Sequence, residues 1–250
     1  MTEHSDEPSA DATTPGGAQR LGAPTLAEDL LLLLFQPDSG LRPGTGTIAG
    51  ENTLFYTLAG AVLADLALGD HVRTESGRAG ATRVAAVEER PPSDGILRSA
   101  WDYVAEKPQG VQAVLAAIGT TLRGLMLDRL VERGDIRREK RKALGLFDST
   151  VLQDGGNGRR ARLLADVRAV LVDGAEPTPR VAALTALLSG SGTLPQFHRD
   201  IPWNSPVATR AKELEQGNWG AGAAAEAVAR TVTATIVNNV VIAAAVLPPN

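Results

Sequence analysis

The chain has 250 residues, 43% of them hydrophobic, and a net charge of −4 at pH 7. That supplies enough apolar side chain for one sizeable core, while the acidic balance excludes a protein that coats nucleic acid or an anionic surface with its whole face; any such role has to be local. The absence of cysteine excludes disulfide, thiolate and zinc-thiolate chemistry.

Residues 1–24 open with MTEHSDEPSADATTPGGAQR, which lacks the basic and then apolar order of a secretory signal. Rich in Ser, Thr, Pro, Gly and acid, they read as a disordered acidic tail ahead of one domain over residues 25–250. That domain begins at TLAEDLLLLLF, where Thr25 and Glu28 have the spacing of a capping box before an apolar run, predicting a buried helix. QPDSGLRPGTG breaks the pattern, and TLFYTLAGAVLADLAL resumes it as a second helix stopping at Gly69 and Asp70. A hairpin follows, with His71, Val72 and Arg73 on one arm, SGRAG as the turn and TRVAAVEE as the other arm. DGILRSAWDYVAE is a short helix ending before Pro108.

The next unit repeats this design. LRGLMLDRLVERGDI runs as a helix into Gly134, so that Leu130, Gly134 and Ile136 align with Leu66, Asp70 and Val72. Glycine suits a left-handed helix stop, and Asp tolerates that conformation better than most residues. The stretch RREKRKALGLF, residues 137–147, therefore falls on the arm and tip of a second hairpin. Beyond it, residues 159–188 and 206–247 read as helices, with DGGNG and SGSGT as loops. Residues 231–247 carry no charge and reach the lower limit of a membrane span. Asn238, Asn239 and three threonines, with Glu226 and Arg230 opening the same helical pattern, favour a helix buried in the protein core instead. The fold class expected is mainly α: a single helical domain with buried central helices and small β-hairpins.

Motifs for catalysis are missing. His198 and Asp200 could join a serine in a triad, but no G-x-S-x-G elbow accompanies them. GTGTIAG, residues 44–50, has the wrong glycine spacing for a dinucleotide loop and no strand before it. There is no H-E-x-x-H, P-loop or carboxylate-rich metal motif. The chain reads as a non-enzyme without cofactor or metal.

Charge is concentrated in one place. Between Arg133 and Lys142 six basic residues face only Asp135 and Glu139, a local +4. Leu144, Leu146 and Phe147 follow directly. A solvated edge strand would explain the charge, but not its apolar neighbours. A winged-helix wing on DNA is opposed by the overall acidity and by the lack of a recognition helix rich in Arg, Asn or Gln. Contact with an anionic membrane uses both features. At about 1 kcal/mol per cation the charge contributes roughly 4 kcal/mol, and partial insertion of Leu and Phe adds to it.

The landmarks TLAEDLLLLLF, AGAVLADLAL, LVERGDI and EKRKALGLFD, in this order across residues 25–247, resemble the Golgi phosphoprotein 3 family, whose eukaryotic members read phosphatidylinositol 4-phosphate on Golgi membranes. The resemblance implies that the hairpin is a membrane-dipping element, with Arg137, Arg138, Lys140, Arg141, Lys142, Leu144, Leu146 and Phe147 as its contacts. It also implies a headgroup pocket. Gly50 takes the family's tryptophan position, Ala59 and Thr120 take two arginine positions, and Arg123 keeps its arginine, leaving Arg123 and Thr120 as the expected headgroup residues. Arg42, Arg73 and Arg129 are other cations that could compensate. The implied protein is cytoplasmic and peripherally membrane-associated, with an anionic phospholipid or phosphoinositide as partner and no nucleic acid. The alternative implied is an adaptor that recruits cytosolic tails of membrane enzymes without reading lipid itself.

Overall fold

Thr25 starts the first helix as its sequence predicts. Its backbone N–H donates to the Glu28 carboxylate at 2.8 Å, and the Glu28 N–H donates back to the Thr25 hydroxyl at 3.2 Å. The computed structural model describes residues 21–37, 39, 44–77, 82–143, 147–217, 219 and 221–246; the expected acidic tail lies outside them except for its last four residues. Helix α1, Leu26–Leu34, is apolar nearly all round, and every one of its residues is buried. A 3-10 turn at Glu51–Thr53 leads into α2, Leu54–Leu68, which packs against α1, against α4 (Val111–Glu132) and against α8 (Ala223–Val246). Between them lies α3, Gly95–Ala105; α5 (Arg159–Leu171), α6 (Pro179–Gly190) and α7 (Ser205–Glu215) precede α8. One contiguous apolar cluster draws side chains from all eight of these helices.

The strands are few and short. β1 (Phe35–Gln36) pairs with β2 (Thr47–Ile48). β3 (Val72–Ser76), β4 (Thr82–Ala86) and β5 (Gln109–Gly110) form an antiparallel sheet in that order, and β6 (Ile136–Ala143) pairs with β7 (Phe147–Asp154). The fold is thus mainly α, with three small sheets among the described residues. The two-residue β5, paired to the outer edge of the first hairpin, leaves no periodic signal in sequence.

The internal repeat is real at the level of hydrogen bonds. Asp70 (φ 54°) and Gly134 (φ 73°) both adopt the left-handed conformation. The following N–H closes the helix in both units, from His71 to the Leu66 carbonyl and from Asp135 to the Leu130 carbonyl, each at 2.8 Å. Three expectations change. Residues 44–50, read as having no strand before them, contain β2, which pairs with the preceding β1. Ser189 and Gly190, expected in a loop, are the last residues of α6. Helix α8 is not enclosed: Ala225, Val228, Val232 and Ile236 are buried, but Ala234 and Asn238 are exposed and Val241 is 61% exposed. It covers the core with one face. No helix among the described residues is long and apolar enough to cross a membrane.

Buried ion pairs tie α1 to the rest. Asp29 accepts from Arg159 and Arg180, Arg159 also reaches Asp135, and Arg180 reaches Asp65 at 3.2 Å. Glu28 accepts from Arg133 at 2.6 Å. Burial opposes ionisation of Glu28, but the hydrogen bond from Arg133 and those from Thr25 outweigh it and hold the carboxyl below its ordinary range. Asp65 goes the other way, pushed up by burial despite Arg180.

Candidate functional site

The second hairpin grows from a buried anchor. Ile136 is fully buried, and from it β6 and β7 run as a two-stranded ribbon of eight residues each, about 27 Å long at the usual rise per residue. Its packing against the helices is chiefly on α4, with one further bridge from Leu152 to Gly46. The register puts Arg138, Lys140 and Lys142 opposite Leu152, Thr150 and Asp148 on one face. Arg137, Glu139 and Arg141 stand opposite Gln153, Val151 and Ser149 on the other.

Neighbours temper this charge. Arg138 pairs with Asp128 of α4 at 2.6 Å, and Arg141 pairs with Glu139 at 3.0 Å. The Arg141 hydrogen bond holds the Glu139 carboxyl below its ordinary range. Arg137 donates to the Asp154 carbonyl at 3.2 Å. Lys140 is exposed and has no ionic or hydrogen-bonded partner among the described residues. Leu144 and Leu146 lie outside the described residues, and Lys142 and Phe147 are described in backbone only.

The local +4 shrinks when the ribbon is delimited by structure. Arg133 turns inward to Glu28 and the Gly22 carbonyl, and Asp135 is buried against Arg159 and Asn157. Residues 136–154 carry five cations against Glu139, Asp148 and Asp154, a net +2. The membrane attraction expected from charge is accordingly about 2 kcal/mol rather than 4.

The expected headgroup residues share part of one surface. Arg123 and Thr120 are exposed, three residues apart and hence on one side of α4. Across from them the Arg123 guanidinium donates to the Glu51 carboxylate, with both side chains about half exposed. Gly50 stands next to Glu51 with φ 69°, and a Cβ there would lie 2.8 Å from Thr193 Cγ2, so this backbone has no room for a tryptophan. Ala59 is fully buried within α2 and does not join the group. Of the other cations, Arg73 pairs with Glu75 and Arg129 with Asp94 and Glu28; Arg42 lies outside the described residues. The residue sequence reasoning missed is Glu51, whose importance arises only from its closeness to Arg123.

The sequence profile described as Golgi phosphoprotein 3 (GPP34) matches residues 26–231, from the first residue of α1 into α8. The chain belongs to the Golgi phosphoprotein 3 family. The span shared with the Golgi phosphoprotein 3 family includes both the ribbon and the Arg123 surface. No curated protein matches the chain. Among the described residues there is no group of three His, Cys, Asp or Glu arranged to hold a metal ion.

Proposed function

We propose that this protein is a peripheral membrane protein that binds anionic lipid through the β6–β7 ribbon. The observation that carries the reading is the ribbon itself. It is a narrow two-stranded extension with cations on both faces, Lys140 lacking an acidic partner among the described residues, and it leads to the apolar stretch Leu144, Leu146 and Phe147. A ribbon that served only to finish the fold would not need to gather five cations along one strand. Membership of a family named for a Golgi phosphoprotein supports a peripheral membrane location. The Arg123 surface is a weak headgroup site: Glu51 already neutralises its arginine, and Thr120 supplies a single neutral hydroxyl.

The test is co-sedimentation with vesicles of phosphatidylcholine containing phosphatidylglycerol. Replacing Arg137, Lys140 and Lys142 by serine should abolish most binding at low salt, and replacing Leu144, Leu146 and Phe147 by serine should weaken it at every salt concentration. Binding that equals the parent in both variants would remove the ribbon as the contact. No vesicle binding by the parent would favour the adaptor, which meets membranes only through protein tails.

A further inference from the structure

We infer that the groove between α3 and α4 is a second lipid contact, receiving hydrocarbon of the same anionic bilayer that the ribbon meets. This rests on the membrane reading above and enlarges its footprint from a hairpin to a face of the molecule. The groove has a volume of about 390 Å³ and is lined by Ile96 and Tyr103 of α3 and by Ile118, Leu122 and Leu125 of α4, with Thr121 and Ser99 at its lip. Leu125 is 45% exposed, one of three large hydrophobic residues so exposed among those described. An apolar side chain left in water next to other apolar side chains in a groove of this size marks a binding surface more often than a single scattered residue does.

The groove is held open by its own end. Asp94 caps α3 by accepting from the Ile96 and Leu97 N–H groups, and its other oxygen accepts from Arg129 of α4 at 2.6 Å. The two helices are therefore pinned side by side where the groove begins.

What identifies the occupant is the charge beside it. Thr121, Leu125 and Asp128 lie on one stripe of α4 at spacings of four and three residues. Asp128 is the residue that grips Arg138. The face of the ribbon carrying Arg138 and Lys140 thus adjoins this stripe of α4, one helical turn beyond Leu125. An apolar groove flanked by this ribbon face, where Arg138 is held by Asp128 and the exposed Lys140 has no partner among the described residues, complements a bilayer that offers hydrocarbon below and anionic headgroups above. A soluble apolar partner would make no use of the cations.

Because the chain has no cysteine, a single introduced thiol can report on each surface. Leu125→Cys and Thr150→Cys, each labelled with an environment-sensitive fluorophore, would be mixed with phosphatidylcholine vesicles containing phosphatidylglycerol, with and without nitroxides on the acyl chains. The expected result is a blue shift and nitroxide quenching at both positions, together with about a tenfold or greater loss of vesicle affinity in Leu125→Glu. A response at position 150 alone overturns the groove while leaving the ribbon as the lipid contact. A response at 125 alone removes the ribbon as a lipid contact and overturns the inference of a groove that acts beside it. Silence at both removes the membrane reading and the groove with it. A blue shift at 125 that grows with protein concentration in the absence of vesicles makes the groove a contact between copies of the chain and overturns the inference.

Discussion

Replacing Asp128 by asparagine should make the protein bind anionic vesicles more tightly. Asp128 is on α4, outside the ribbon, yet its carboxylate lies 2.6 Å from Arg138 and cancels one of the ribbon's charges where the membrane would feel it. With five cations, three carboxylates of its own and Asp128 alongside, the ribbon presents about one net positive charge. The substitution raises this to about two, adding roughly 1 kcal/mol of attraction, close to a fivefold gain in affinity. The fold should tolerate the change. The Asp128 side chain is 63% exposed, and an exposed ion pair contributes about 0–1 kcal/mol to stability. Co-sedimentation with phosphatidylglycerol-containing vesicles over a salt series reads the effect, which should be largest at low ionic strength and fade as the Debye length shortens. The charge reversal Arg138→Glu supplies the opposite sign and should weaken binding by more than Asp128→Asn strengthens it. Unchanged or weaker binding in Asp128→Asn, with the thermal melt intact, would show that this face of the ribbon does not approach the lipid.

Arg159→Met should cost about 3–5 kcal/mol, because it leaves the almost wholly buried Asp135 with the neutral Asn157 amide and no cation, and takes from Asp29 one of its two arginines; urea unfolding measures this, and a loss below 1 kcal/mol would mean that Asp135 finds another partner. Glu28 gives the protein an acid-sensitive limb. Its folded pKa is lowered, so its contribution is present above the ordinary carboxyl range and is lost as pH falls through the folded value. Asp94, lowered by the hydrogen bond from Arg129 against burial, adds in the same direction. Asp65, raised by burial, opposes them, favouring the fold at low pH and losing that effect as pH rises through its folded value. Urea denaturation at pH 6 and pH 3 should therefore show a smaller acid loss in Glu28→Gln than in the parent, and an equal loss would locate the sensitivity elsewhere. Arg123→Ala should change the preference for phosphatidylinositol 4-phosphate over charge-matched phosphatidylglycerol by less than about threefold, since a phosphate must displace Glu51 to reach it. A strong preference abolished by this variant would reveal a working headgroup pocket.

The parts of this protein that the sequence determined by itself are those whose interactions close within a few residues. The Thr25 and Glu28 capping box, the helix periodicity, and the stops at Asp70 and Gly134 each depend on backbone conformation and on groups no more than five positions away, so spacing alone reveals them. Tertiary structure decided what the charges do. Arg133 and Arg137 are the same residue type one helical turn apart in number, yet Arg133 folds inward to Glu28, 105 positions earlier, while Arg137 stays on the ribbon. Likewise Arg123 acquires Glu51 from 72 positions away, and a stretch of α8 without charge presents one side to the core and the other to water. An ion pair is effective only at a separation of a few ångströms, and which side of a helix is covered depends on what packs there. Neither quantity is defined along the chain until the helices have come together, and so the net +2 of the ribbon, the neutralised Arg123 and the groove beside Leu125 could be read only from the assembled fold.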